Sequence, residues 1–124
     1  MNPHDALIVT HHAHDAAWLK DILSRYQVTT RIVQSAEMAL NSIEGCPPDL
    51  LIVDLVLPGM DGWELMYTLR QELCLDTRPV IAVTSDDADG VQEAALAEGF
   101  TAYFTKPLDA DRFVPVLEQI VQLS

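Results

Sequence analysis

Asp54, Thr84 and Lys106 each stand at the end of a short apolar run: LLIVD, VIAVT and AYFTK. A carboxylate in the first of these places is costly unless it is paired or used. One carboxylate, one hydroxyl and one ammonium that converge in space suit phosphoryl transfer to a carboxylate. Asp54 would attack phosphorus as the nucleophile. Lys106 and Thr84 would bind the phosphoryl oxygens, where positioning and charge neutralisation do most of the work. The loop after Asp54, LVLPGMDG, is built by Pro58, Gly59 and Gly62, and Asp61 is placed to cap the helix that follows.

The elements that must position these residues are legible as an alternation. Apolar clusters rich in β-branched residues recur at 7–9, 28–33, 50–53 and 80–83, with a weaker fifth at 102–105. Between and after them, apolar residues three and four apart mark helices. Trp18, Leu19, Ile22, Leu23 and Tyr26 mark the first; Ala36, Ala39, Leu40 and Ile43 the second, with Ser35 as N-cap. Leu65, Met66, Leu69 and Leu73 mark the third, and Val91, Ala94, Ala95 and Leu96 the fourth, ended by Gly99. Phe113, Leu117, Ile120 and Val121 mark the fifth, which contains Pro115 and is therefore expected to start near Asp111 or with an irregular first turn. Alternating strands and helices predict an α/β fold with a parallel sheet covered on both faces. In such folds the working site lies at the carboxyl ends of the strands. Here those ends are Thr10-His11-His12, the turn at 33–35, Asp54, Thr84-Ser85 and Thr105-Lys106.

The totals bound the function. The 124 residues suffice for one domain, expected over 1–124, and 49% are hydrophobic, so a real core is available and wholesale disorder is not expected. The longest apolar run is far too short to span a membrane, and the first residues lack the layout of a secretion signal. A net charge of -12 makes nucleic acid a poor direct partner and favours partners with basic patches. Cys46 and Cys74 are far apart and form no metal-type pair; both are expected to stay reduced in a cytoplasmic protein.

The stretch IVDLVLPGMDGWEL, the VTS ending at Ser85 and YFTKPLD from Tyr103 to Asp109 together resemble the receiver domain of bacterial response regulators, over essentially the whole chain and in the right order. The resemblance implies a flavodoxin-like, doubly wound fold: five parallel strands in the order 2-1-3-4-5, flanked by five helices. It implies an atypical but recognisable receiver of two-component phosphorelay signalling rather than an independent enzyme. Asp54 would be the phosphoacceptor, fed by a histidine kinase or a phosphotransfer protein. Thr84 and Lys106 match the family's phosphate-sensing hydroxyl and lysine, and Tyr103 the aromatic switch that turns inward. Lys106-Pro107 matches a peptide bond usually cis, and the carbonyl of Val56 would be a metal ligand.

The chain departs from the family at one place. Receivers run from the first strand into two adjacent acidic residues that hold magnesium. Aligned through LIV, those positions are Thr10 and His11. Asp15, further on and in the first helix, is not expected to reach back. With Asp54 as the only matching carboxylate, magnesium is expected to bind weakly. His11, with His12 or His14, instead allows a transition-metal site with Asp54, because imidazole suits zinc, nickel or copper. A protonated His11 that replaces the metal's charge is another reading, and solvated loop histidines are a third. Trp18 and Trp63 are read as packing residues, and Asp86, Asp87 and Asp89 as an acidic start to the fourth helix.

In the family the output surface is made by the fourth helix, fifth strand and fifth helix. From Asp86 to Glu118 this chain carries eight acidic residues and two basic ones, Lys106 and Arg112. Thr101 and Ala102 occupy positions where DNA-binding members place acidic residues for a salt-bridged dimer, so that dimer is not expected, and a basic partner surface is. Two functions from different classes stay open: phosphoryl acceptance on Asp54 with signalling through this face, or a phosphorylation-independent interaction module. A metal- or pH-responsive switch through His11 is the third.

Overall fold

Five short strands alternate with five helices, as the apolar pattern predicts: β1 (Asp5–Val9), α1 (Ala13–Ser24), β2 (Thr29–Val33), α2 (Ala36–Gly45), β3 (Leu50–Asp54), α3 (Gly62–Gln71), β4 (Val80–Thr84), α4 (Val91–Glu98), β5 (Ala102–Thr105) and α5 (Ala110–Leu123). The computed structural model describes residues 5–73, 78–85 and 89–123, with side chains to 120. His4, Cys74, Asp86, Asp87 and the side chain of Val121 lie outside the described residues. The strands form one parallel sheet in the order β2-β1-β3-β4-β5.

The central strands are buried on both faces, which is why they read as unbroken apolar runs rather than alternating ones. Alternation still decides which layer each residue joins. Leu7, Val9, Leu51, Val53 and Ala82 pack with α2, α3 and α4 through Ala39, Ile43, Leu65 and Ala95. Ala6, Ile8, Ile52, Ile81 and Val83 face the other way, onto α1 and α5 through Leu19, Leu23, Phe113 and Leu117. Trp18 meets Phe113 edge-on and Trp63 meets Phe100 edge-on, so both tryptophans pack as expected.

The helix ends follow local chemistry. Ser35 accepts from the Met38 N–H at 3.2 Å and Asp61 from the Glu64 N–H at 2.9 Å. Gly99 takes the left-handed conformation that ends α4. α5 starts at Ala110, one residue before the position read from sequence; the Asp109 carboxylate accepts from the Asp111 N–H at 2.9 Å, and Pro115 is accommodated inside the helix.

Gly62 opens α3 directly against the end of β3. A methyl group there would lie 2.8 Å from the Asp54 carbonyl oxygen and 2.8 Å from the Leu55 Cα. Both neighbours are backbone and cannot swing away. Gly62→Ala is therefore expected to cost about 1–3 kcal/mol by overpacking, read as a lower urea midpoint at unchanged slope.

Candidate functional site

Backbone hydrogen bonds carry the parallel ladders one residue beyond the strands and so bring distant residues to one edge. The Thr10 N–H donates to the Val33 carbonyl at 3.1 Å, the Leu55 N–H to the Val83 carbonyl at 2.9 Å and the Lys106 N–H to the Thr84 carbonyl at 2.8 Å. Thr10, Asp54, Thr84 and Lys106 consequently share the carboxyl edge of the sheet. The Lys106-Pro107 peptide bond is cis, as the resemblance implies.

Asp54 is the focus of that edge. It is only 3% exposed, and both carboxylate oxygens have partners. Oδ2 accepts from the Lys106 Nζ at 2.7 Å and from the Thr10 hydroxyl at 3.2 Å. Oδ1 accepts from the Val56 N–H at 3.0 Å. The charge is thus buried but paired and hydrogen-bonded, which makes its burial tolerable. Thr84 is fully buried at the end of β4, the strand beside Asp54.

Lys106 has a second partner. Its Nζ lies 2.7 Å from the Asp15 Oδ2, so one ammonium sits between two carboxylates. The expectation that Asp15 would not reach back is wrong. α1 begins at Ala13, which puts Asp15 in its first turn, and helical side chains lean toward the helix N-terminus. That direction carries the carboxylate onto the sheet edge. Burial is the largest single influence on the Lys106 pKa and pulls it down; the hydrogen bonds and charges of Asp15 and Asp54 together outweigh it, so the ammonium is held above its usual range.

Thr10 has a role that sequence reading missed. It is buried, its hydroxyl binds Asp54, and it accepts from the His12 N–H at 3.2 Å. A positive charge beside Asp54 is supplied by Lys106. His11 and His12 are both exposed, their ring centroids are 3.9 Å apart, and one ligand atom from each lies within 4.8 Å of the other and of an Asp54 oxygen. His14, exposed on α1, is not a member of this group. Tyr103, half-buried on β5, packs against the core on the α2-α3-α4 side. It also lines a cleft of about 320 Å³ with Gln92, Pro107 and Arg112.

The fold and this edge define a receiver domain, the class of signalling module that takes a phosphoryl group on an aspartate. Residues 6–118 match the response regulator receiver domain family, and the chain belongs to that family. It is 31% identical over 115 residues to a 14.6 kDa protein of Leptolyngbya boryana, covering 93% of this chain and 88% of that one. It is 37% identical over 87 residues to the heme response regulator HssR of Staphylococcus epidermidis, covering 70% of this chain but only 38% of that protein. A crystal structure of a candidate response regulator from Chloroflexus aurantiacus superposes with a TM-score of 0.87 at 31% identity, over 97% of this chain and 98% of the other. Receiver domains work in two-component systems with histidine kinases or phosphotransfer proteins and with output domains. Among the described residues, no helix is long and apolar enough to cross a membrane.

Receiver domains typically use magnesium for phosphorylation. The donors here do not fit it. Magnesium favours an octahedron of oxygens and often relies on carboxylates. At the end of β1 stand a threonine whose hydroxyl is given to Asp54 and two imidazoles. Asp15 is occupied by Lys106, so Asp54 is left without a second carboxylate to complete an oxygen set.

Proposed function

We propose that this receiver accepts a phosphoryl group on Asp54 and reports it through the face made by α4, β5 and α5. The observation that carries this reading is the Asp54–Lys106 pair at 2.7 Å, on the edge that also ends in Thr84. In the transfer, an Asp54 carboxylate oxygen attacks phosphorus and the bond from phosphorus to the donor breaks; with a phosphohistidine donor the imidazole leaves with the electron pair. Lys106 exchanges a carboxylate partner for phosphoryl oxygens, and the Thr84 hydroxyl donates to another. The chain itself then acts as a switch rather than as an enzyme with its own substrate, and we place it in the cytoplasm with its kinase or phosphotransfer donor. Tyr103 relays the change because it borders both the core and the cleft beside Arg112. Phosphorylation biases two arrangements of this face rather than building a new one.

Charge argues for the kind of output partner. Among the described residues the face and its flanks present Asp89, Glu93, Glu98, Asp109, Asp111 and Glu118 against Lys106 and Arg112, with Lys106 already committed at the site. The complementary surface is basic. A phosphorylation-independent interaction module is the second reading, favoured by the end of β1, where Thr10 already binds Asp54 and an acidic pair is missing.

Intact mass after incubation with a small phosphoryl donor or a phosphorylated phosphotransfer protein separates the two. The expected result is a gain of one phosphoryl group that Asp54→Asn does not show. No gain from any donor, with partner binding unchanged in Asp54→Asn, supports the second reading.

A further inference from the structure

We propose that His11, His12 and Asp54 form a binding site for a divalent transition metal of the zinc class, in place of the family's magnesium site. Its use beside an acceptor rests on the role given to Asp54 above; the binding itself does not. Consecutive residues of an extended chain point to opposite sides. Here the chain bends at His11 and enters α1 at His12, whose φ of -97° and ψ of 107° make it the N-cap. The bend turns both rings to the same side, with centroids 3.9 Å apart, toward the buried carboxylate of Asp54.

The three ligand atoms lie within 4.8 Å of one another. Around a tetrahedral zinc with bonds near 2.0–2.1 Å, donors stand about 3.3 Å apart. The group must therefore contract by at most about 1.5 Å. Both imidazoles are exposed and sit on the surface, whereas Asp54 is held by Thr10, Val56 and Lys106. This is a fixed carboxylate with two adjustable nitrogens. Two imidazoles and one carboxylate favour zinc, nickel, copper or cobalt over magnesium. Three protein ligands also leave the fourth position open. A phosphoryl oxygen on Asp54 would find that position beside it. Thr10 and the Val56 N–H orient the carboxylate, the outer-shell role that tunes metal affinity.

The test is calorimetric titration of the full chain with Zn²⁺ and with Co²⁺, in excess magnesium and without any phosphoryl donor, and Co²⁺ visible spectra on the same samples. One equivalent is expected to bind, with the intense absorption of a four-coordinate site. His11→Ala and His12→Ala should each weaken it by tenfold or more, and His14→Gln should leave it unchanged. Circular dichroism of each variant verifies that the fold persists. Binding no tighter than that of magnesium, or binding indifferent to both His11→Ala and His12→Ala, overturns the proposal. Because no donor is present, this outcome is independent of phosphorylation. Metal binding by a protein that never gains a phosphoryl group would sink the acceptor role and leave the metal site standing.

Discussion

Lys106→Met is expected to destabilise the protein by about 2–3 kcal/mol at neutral pH, among the larger effects of any single substitution at this edge. Methionine keeps most of the apolar stem, so the loss falls on the charge. Without the ammonium, Asp54 is a carboxylate that is 3% exposed and keeps, among the described residues, a hydroxyl and an N–H as partners. Asp15 loses its partner as well, but it is more accessible and costs less. Removing one member of a buried pair leaves the other uncompensated, and that penalty exceeds what the intact pair contributes. Asp54→Asn in the Lys106→Met background should therefore recover a large part of the loss. Urea denaturation of the two single variants and the double variant measures the coupling directly. pH adds a sign. The Lys106 pKa is raised in the folded protein above its ordinary 10.5. Its contribution is thus full below that ordinary value and is lost as pH climbs through the raised one. The gap between wild type and Lys106→Met should close in the alkaline range and stay constant through neutrality. A gap unchanged at high pH would contradict the assignment.

Thr10→Asp combined with His11→Asp is expected to raise magnesium affinity by on the order of 100-fold, because it restores hard carboxylate ligands beside Asp54. Without metal the same variant should be less stable than wild type. Thr10 is buried, its hydroxyl bond to Asp54 disappears, and an anion takes its place against another anion. Magnesium should then raise the melting temperature of the variant sharply and that of the wild type little, as ligand linkage requires. Titration calorimetry and thermal melts with and without magnesium test both halves. Equal magnesium affinity in the two proteins would show that Thr10 and His11 do not weaken the site.

Much of this edge is legible in the sequence. Asp54 could be singled out because a carboxylate closing LLIVD conflicts with burial unless something pairs with it, and Lys106 because it ends the weakest strand just before a proline. The sheet followed from the alternation of periods, and the capping roles of Ser35, Asp61 and Gly99 from their residue types. What stayed hidden depended on direction in space. Periodicity places Asp15 in a helix but does not tell that its side chain leans back to Lys106. Nor does it tell that Thr10, which reads as a lost ligand, is buried and bonded to Asp54 across 44 residues of chain. His11 stands out in the sequence because it aligns with one of the family's acidic positions; that the His12 ring lies beside it, with centroids 3.9 Å apart, depends on the bend at the strand end.

If Asp54 takes the phosphoryl group, the modification must be found at that residue. The most direct measurement is reductive trapping. The protein is incubated with a phosphoryl donor in magnesium and separately in zinc, quenched, treated with borohydride and digested for peptide mass analysis. An aspartyl phosphate is reduced to homoserine, whereas a free carboxylate is not. Homoserine is expected at position 54 and at no other aspartate. Homoserine at Asp15 or at another aspartate, or phosphate retained on a histidine with position 54 untouched, would rule out Asp54 as the acceptor.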